Sequence, residues 1–248
     1  MHLRWTRIAT FVLAAVYMVP VLACNEDSDV ETIVMAVVEA YGGEEALRSV
    51  EGFRMMGDQL AIQNNQMIKV ARWFGRPDRL RLELAYPDHH ESRFTEGVVG
   101  WAGANSADVS PANPIKLQAM RLQTARLDPP IRLLERLEEV KRLEDDAQGR
   151  ILLRIPIGPD LLLDSHVDPT TYRITKMTMW MPGPPAMEFS AEYDQFHEIA
   201  GVLIAFRELT YAGNTVTSRF QVTDFEWNPE GLSTTLKHHF SGLGPELF

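Results

Sequence analysis

The sequence predicts a mainly β, α+β fold: a single domain with one large antiparallel sheet that curls and is covered by helices on its concave face. Three observations predict it. Apolar residues alternate with polar ones at period two, in runs of strand length, through most of the chain. The joints between these runs carry turn chemistry, as in "GRPD", "TEGV", "DPTT", "PGPP" and "YAGN". Longer helical spacing is confined to the start of the chain and to one proline-rich stretch in the middle.

The chain opens on Arg4 and Arg7, followed by an uncharged run over 8–23. That run falls short of the roughly 20 residues of a membrane-spanning helix, and Pro20 interrupts it. Residues 1–23 are therefore expected to be an export signal that is cut off. "VLAC", ending in the only cysteine of 248 residues, resembles the bacterial lipobox, in which the thiol takes a diacylglyceryl group and becomes the new N-terminus. Cys24 is the expected lipidation site, and 24–29 an acidic tether. Asn25 stands where an Asp would retain the lipoprotein at the inner membrane of enteric bacteria, which points to the periplasmic face of the outer membrane.

Charge narrows the partners. The formal net charge is −10, with 34 acidic against 24 basic residues, and the leader removes two of the arginines. Such a chain lacks the clustered Lys and Arg that bind nucleic acid, and anionic headgroups repel it, so membrane attachment rests on the lipid. With Cys24 acylated no thiol remains for a disulfide, and stability has to come from an apolar core.

The domain is expected over 30–248. In the first helix Ser28 stands three before Glu31, the spacing of a capping box. Val30, Ile33, Val34, Val37, Val38 and Tyr41 recur on one face, and Gly42-Gly43 stop the helix. A short helical turn, "EEALRSV", follows. Strands are then predicted at 53–62, 66–74, 79–86, 91–95, 98–101, 150–157, 161–167, 172–181, 187–194, 202–211 and 215–227. In "RLRLELAY", Leu80, Leu82, Leu84 and Tyr86 face in, while Arg79, Arg81 and Glu83 face out. "MEFSAEYD" repeats the pattern, with Met187, Phe189, Ala191 and Tyr193 inward and Glu188, Glu192 and Asp194 on a solvated side. Helices are predicted at 114–127 and 130–137, split by "DPP", each opening on a proline that a first helical turn tolerates. They interrupt the strands midway, as a cover for the concave face of a large curled sheet would.

The candidate binding surface follows from the same alternation. Met177, Met179 and Met181 share one strand face, with Met187 and Phe189 close by on the next strand. Unbranched, polarizable side chains suit an adaptable apolar site, although the same residues also fit a plain sheet core. Leu80, Leu82, Leu84 and Tyr86 complete the candidate lining. Trp101 and Trp180 are candidates for its mouth or for simple space-filling.

Catalytic and metal chemistry find no support. The sequence has no G-x-S-x-G, H-E-x-x-H, C-x-x-C or phosphate-cradling glycine loop. His89-His90 and His238-His239 are adjacent pairs that an extended chain splits to opposite sides. Asp164, Ser165 and His166 are consecutive, so on a strand Ser165 faces away from both. No cofactor is expected.

The segments "AYGGEEALRSVEGFRMMG", "EGVVGWAG", "DPTTYRITKM" and "AEYDQFHEIAGVLIAFRELTYAGNTVTSRFQVTDFEWNP", with a helical insert between the second and third, resemble the LolA/LolB-type outer-membrane lipoprotein-sorting superfamily. The likeness rests on Asp168-Pro169, Tyr193, Gly201-Val202 and the strand order, over most of 30–240. It implies an unclosed half-barrel wrapped around helices, with an apolar cavity for acyl chains. Cys24 makes the chain more like the anchored acceptor of that superfamily than its soluble carrier. The expectation is a non-enzymatic, lipid-anchored envelope lipoprotein that binds lipid or the acyl chains of a lipoprotein. The alternative is an interaction or sensor lipoprotein that docks an envelope partner protein and carries no lipid.

Overall fold

The computed structural model describes residues 26–104, 109–158, 160–181 and 187–237. The leader, Cys24 and the pair His238-His239 lie outside them. No helix among the described residues is long and apolar enough to cross a membrane.

Among the described residues, thirteen strands form one antiparallel sheet. The first meander is β1 (Gly52–Ala61), β2 (Gln66–Gly75), β3 (Arg79–Ala85), β4 (His90–Glu96), β5 (Val99–Ala104) and the short β6 (Ser110–Pro111). The second is β7 (Lys141–Leu143), β8 (Ile151–Gly158), β9 (Leu161–Val167), β10 (Ile174–Met181), β11 (Met187–Ile199), β12 (Val202–Ala212) and β13 (Thr215–Trp227). Within each meander every strand pairs with its neighbour in sequence, as hairpin turns dictate. One non-local pairing joins the two: β1 lies antiparallel to β13, with Phe53 opposite Trp227 and Ala61 opposite Ser218. The free edges are therefore β6 and β7, which are close in the chain and are linked through α3 (Pro114–Ala125), α4 (Pro129–Glu135) and a 3₁₀ turn at Leu137–Glu139.

The sheet is curled but not closed. Helix α3 touches β4 and β5 on one limb and β9 and β10 on the other, strands that the whole middle of the sheet separates. Asn113 caps this helix, its side chain accepting from Lys116 N at 2.9 Å, and Pro114 opens its first turn. Polar bonds fasten α3 to both limbs: Lys116 Nζ to Glu91 of β4 at 2.8 Å, and Arg121 Nη2 to the Ile157 carbonyl of β8 at 2.9 Å. Gly158 leaves room for that arginine, since a Cβ there would lie 2.7 Å from Arg121 Nη2.

Helix α1 (Glu26–Ala40) packs against α4 and the sheet. It starts before the expected cap, so Ser28 falls inside its first turn. The apolar stripe from Val30 to Tyr41 is buried, with Val34, Val37 and Val38 fully enclosed. The Tyr41 hydroxyl accepts from Ile174 N at 3.2 Å, and its carbonyl accepts from Leu203 N at 3.1 Å. After Gly42 and Gly43 comes α2 (Glu44–Arg48). Gly42 has φ +116°, and a Cβ there would stand 2.0 Å from the Gly201 carbonyl oxygen. Only glycine allows the end of α1 to close onto the β11–β12 turn.

Two expectations need correction. Arg81 and Glu83 do not face water: they are 5% and 2% exposed. Trp73 and Phe94 flank the Arg81 guanidinium, Glu83 receives Arg81 Nε at 2.7 Å, and Arg81 Nη1 reaches the Thr235 carbonyl of α5 (Leu232–Thr235), a helix the sequence did not predict. Leu236, at the end of α5, is buried with Ala71 and Trp73. Strand β11 also runs on to Ile199, beyond the expected 194.

Candidate functional site

Directly opposed residues in a sheet share a face, so the register assembles the concave wall. One row crosses the sheet through Ile68, Gln59, Phe220, Glu208 and Tyr193. A neighbouring row joins Leu82, Arg72 and Met55. On the far limb Met179 opposes Phe189 and Leu163.

Between this wall and the helical insert lies a cavity of about 430 Å³. Leu80, Leu82, Leu84 and Tyr86 line one side of it, Met179, Met181 and Phe189 the other, and Leu122 and Leu127 the helical side. Toward the β1–β2 and β12–β13 turns the lining becomes polar, with Gln59, Asn64, Tyr211 and Thr217. Two of the predicted lining residues sit elsewhere. Met177 is fully buried in the core beneath α1 and α4, and Met187 is 44% exposed at the start of β11. Trp180 lies on the outer face, where its Nε1 donates to Asp164 at 3.0 Å.

The cavity wall also holds a charge cluster that alternation alone did not reveal. Arg72 of β2 and Arg126, the residue after α3, both donate to Glu208 of β12, at 2.9 and 2.7 Å. All three are under 8% exposed, and the Arg72 guanidinium stacks 4.2 Å from the Phe220 ring centroid. Burial pushes the Glu208 carboxyl up, but the charges of Arg126 and Arg72 outweigh it and hold the group down to about 2. Burial works against the Arg126 charge, and Glu208 outweighs that too, holding the guanidinium protonated. Tyr193, beside Arg126, is pushed up to about 12, first by burial. Neither the Tyr193 hydroxyl nor Arg126 Nε makes a hydrogen bond of acceptable geometry within the protein. A second space of about 60 Å³, lined by Tyr193, Phe53, Phe196 and Glu208, adjoins the cluster, and Arg72 and Arg126 border both spaces. The sequence signal was available: Arg72 and Glu208 occupy inward positions of strands whose other inward residues are mostly apolar.

The outer face carries separate polar networks. Asp164 accepts from Arg154 Nε and Nη2 at 2.6 and 2.7 Å. His166 bridges Asp146, at 2.7 Å from Nδ1, and Thr178, at 2.9 Å from Nε2. Burial lowers the His166 pKa, so the neutral ring donates from Nδ1 and accepts at Nε2. Ser165 sits on the opposite face with its hydroxyl unpartnered, so Asp164, Ser165 and His166 are not assembled into a triad. Thr178 is 4% exposed and His166 8% exposed.

A curled, unclosed antiparallel sheet holding helices over an apolar cavity defines a half-barrel cradle fold. The same fold occurs in the crystal structure of a LolA superfamily protein from Nitrosomonas europaea, with a TM-score of 0.56 and 12% identity over 84% of this chain and 97% of that one. It also occurs in a putative outer membrane lipoprotein-sorting protein domain from Vibrio parahaemolyticus (0.52, 9%, 83% and 98%). A DUF1329 family protein from Desulfovibrio piger is similar again (0.55, 8%, 84% and 97%). Identities this low establish a shared fold. No protein-family model matches the sequence, and no curated protein matches it.

Proposed function

We propose that this protein is an exported, non-enzymatic envelope lipoprotein, anchored through Cys24, that takes a lipid or the acyl chains of a lipoprotein into the cavity beneath α3. The observation that carries the reading is the cavity itself. At about 430 Å³ it falls within the roughly 300–1,000 Å³ of small-molecule sites, and Leu, Met and Phe side chains from both limbs and the insert share its wall with polar groups such as Gln59, Arg72, Arg93 and Arg126. The lipoprotein-sorting description of the Vibrio domain supports the same role and an envelope location. The periplasmic face of the outer membrane, inferred from Asn25, is part of the proposal.

The test is native mass spectrometry of protein made in a host with an intact envelope pathway, followed by delipidation and titration with a fluorescent fatty acid. A co-purifying hydrophobic ligand and saturable uptake are expected. No uptake at any lipid concentration, with a partner protein recovered by crosslinking, would transfer the case to a docking lipoprotein.

A further inference from the structure

The Arg72–Glu208–Arg126 cluster is out of balance. Two guanidinium groups face one carboxylate, and all three groups are buried. The other charged side chains bordering these spaces are cations and do not correct this: Arg207 is paired with Asp194, and Arg93 with Glu91. Tyr193 and Arg126 lie against each other, yet neither Arg126 Nε nor the Tyr193 hydroxyl makes a hydrogen bond of acceptable geometry. Buried donors of this kind are ordinarily satisfied, and one surplus positive charge in an apolar wall calls for one negative charge.

We propose that the cavity is specific for a single-chain amphiphile with a terminal carboxylate, such as a long-chain fatty acid. Its head sits against Arg72, Arg126 and Tyr193, and its tail lies between β3 and β10. This rests on the lipid-binding reading and adds the identity of the head. A carboxylate matches the site in charge, since it brings the cluster to neutrality where a phosphate dianion would overshoot. It matches in shape, since its two oxygens fit the planar fork of a guanidinium. It matches in size, since the adjoining space holds about 60 Å³ while the apolar cavity beyond takes the chain.

The experiment measures equilibrium binding of tritiated palmitate and tritiated hexadecanol to delipidated full-length protein. The two probes have the same chain and differ only in the head. Palmitate is expected to bind at least about tenfold tighter, the usual gain of a hydrogen bond to a charged group in a buried site. Arg126→Met leaves Arg72 and Glu208 paired one to one, and it should bring the palmitate-to-hexadecanol ratio to within about twofold of unity. Tyr193→Phe removes a single oxygen and should lower the ratio by several-fold, deciding the matter even where Arg126→Met does not fold. A wild-type ratio near unity overturns the proposal and leaves the lipid-cavity reading standing. A ratio that survives these substitutions, or an Arg126→Met protein that keeps the wild-type circular dichroism yet loses both ligands alike, also overturns it. Failure of wild type to bind either probe overturns the cavity reading together with the proposal.

Discussion

Glu208 shows how one residue ties stability to pH. Its carboxyl is held at about 2 against an ordinary value of 4.5, so its contribution is complete above that ordinary value and fades as the pH falls toward 2. A shift of this size corresponds to about 3 kcal/mol. Urea unfolding between about pH 6 and pH 2 should show wild type losing stability more steeply than Glu208→Gln, which starts lower because its two arginines lose their counter-charge. Parallel slopes would remove Glu208 from the acid response. Met179 tests the opposite property, an apolar wall. It lines the cavity while opposing Phe189 and Leu163, so Met179→Gln places an amide on the ligand's path. Fatty-acid uptake is expected to weaken several-fold with a melting temperature near that of wild type; a packed core would instead lose roughly 2 kcal/mol or more. Leu80, Leu82, Leu84 and Met179 were legible in the sequence because period two assigns a face to each residue of a strand. Arg72 and Glu208 were not singled out, because the pattern that identifies inward positions is apolar, and a charge there is noticed only once the face is known.

At the scale of elements, α1 is the part most fully written in the chain. Its stripe was visible at helical spacing, and it is buried from Val30 to Tyr41. Val34→Asp would bury an unpaired carboxylate in a site with no exposure, and a loss on the order of 4 kcal/mol is expected, lowering the melting temperature by about 10 °C. A melt within a degree or two of wild type would contradict the packing. Gly42→Ala tests the closure behind it. The added methyl would meet the Gly201 carbonyl oxygen in a backbone region unfavourable to alanine, and about 3 kcal/mol of destabilisation should follow, read by chemical denaturation. The elements that escaped the sequence are short. β6, β7 and α5 span two, three and four residues, too few for any period to declare itself. Missing α5 contributed to the misreading of Arg81, and Glu83 is enclosed by Arg81, Ser92 and His90, pairings that alternation does not announce.

For the molecule as a whole, most of the strand order was legible because short turns leave a strand little choice but to pair with the next. The pairing of β1 with β13 was not, because it brings together residues as distant as Phe53 and Trp227 and has no turn to announce it. The remaining whole-molecule prediction concerns anchoring. Cys24→Ser should shift the protein from membrane to soluble fractions, because acyl chains at about 0.8 kcal/mol per buried CH₂ hold far better than an acidic surface. Fatty-acid labelling that leaves the wild type unlabelled would refute it.

The fastening of α3 to both limbs has a further consequence. In a closed barrel the bore is fixed by strand number and shear, and it changes only in steps of the hydrogen-bond ladder. Here the last stretch of the circumference is a helix, seated through side chains such as Lys116 and Arg121. The gauge of the cavity is therefore a continuous quantity, set by side-chain length on one helix, and it can be retuned by substitution there without breaking a single strand pair.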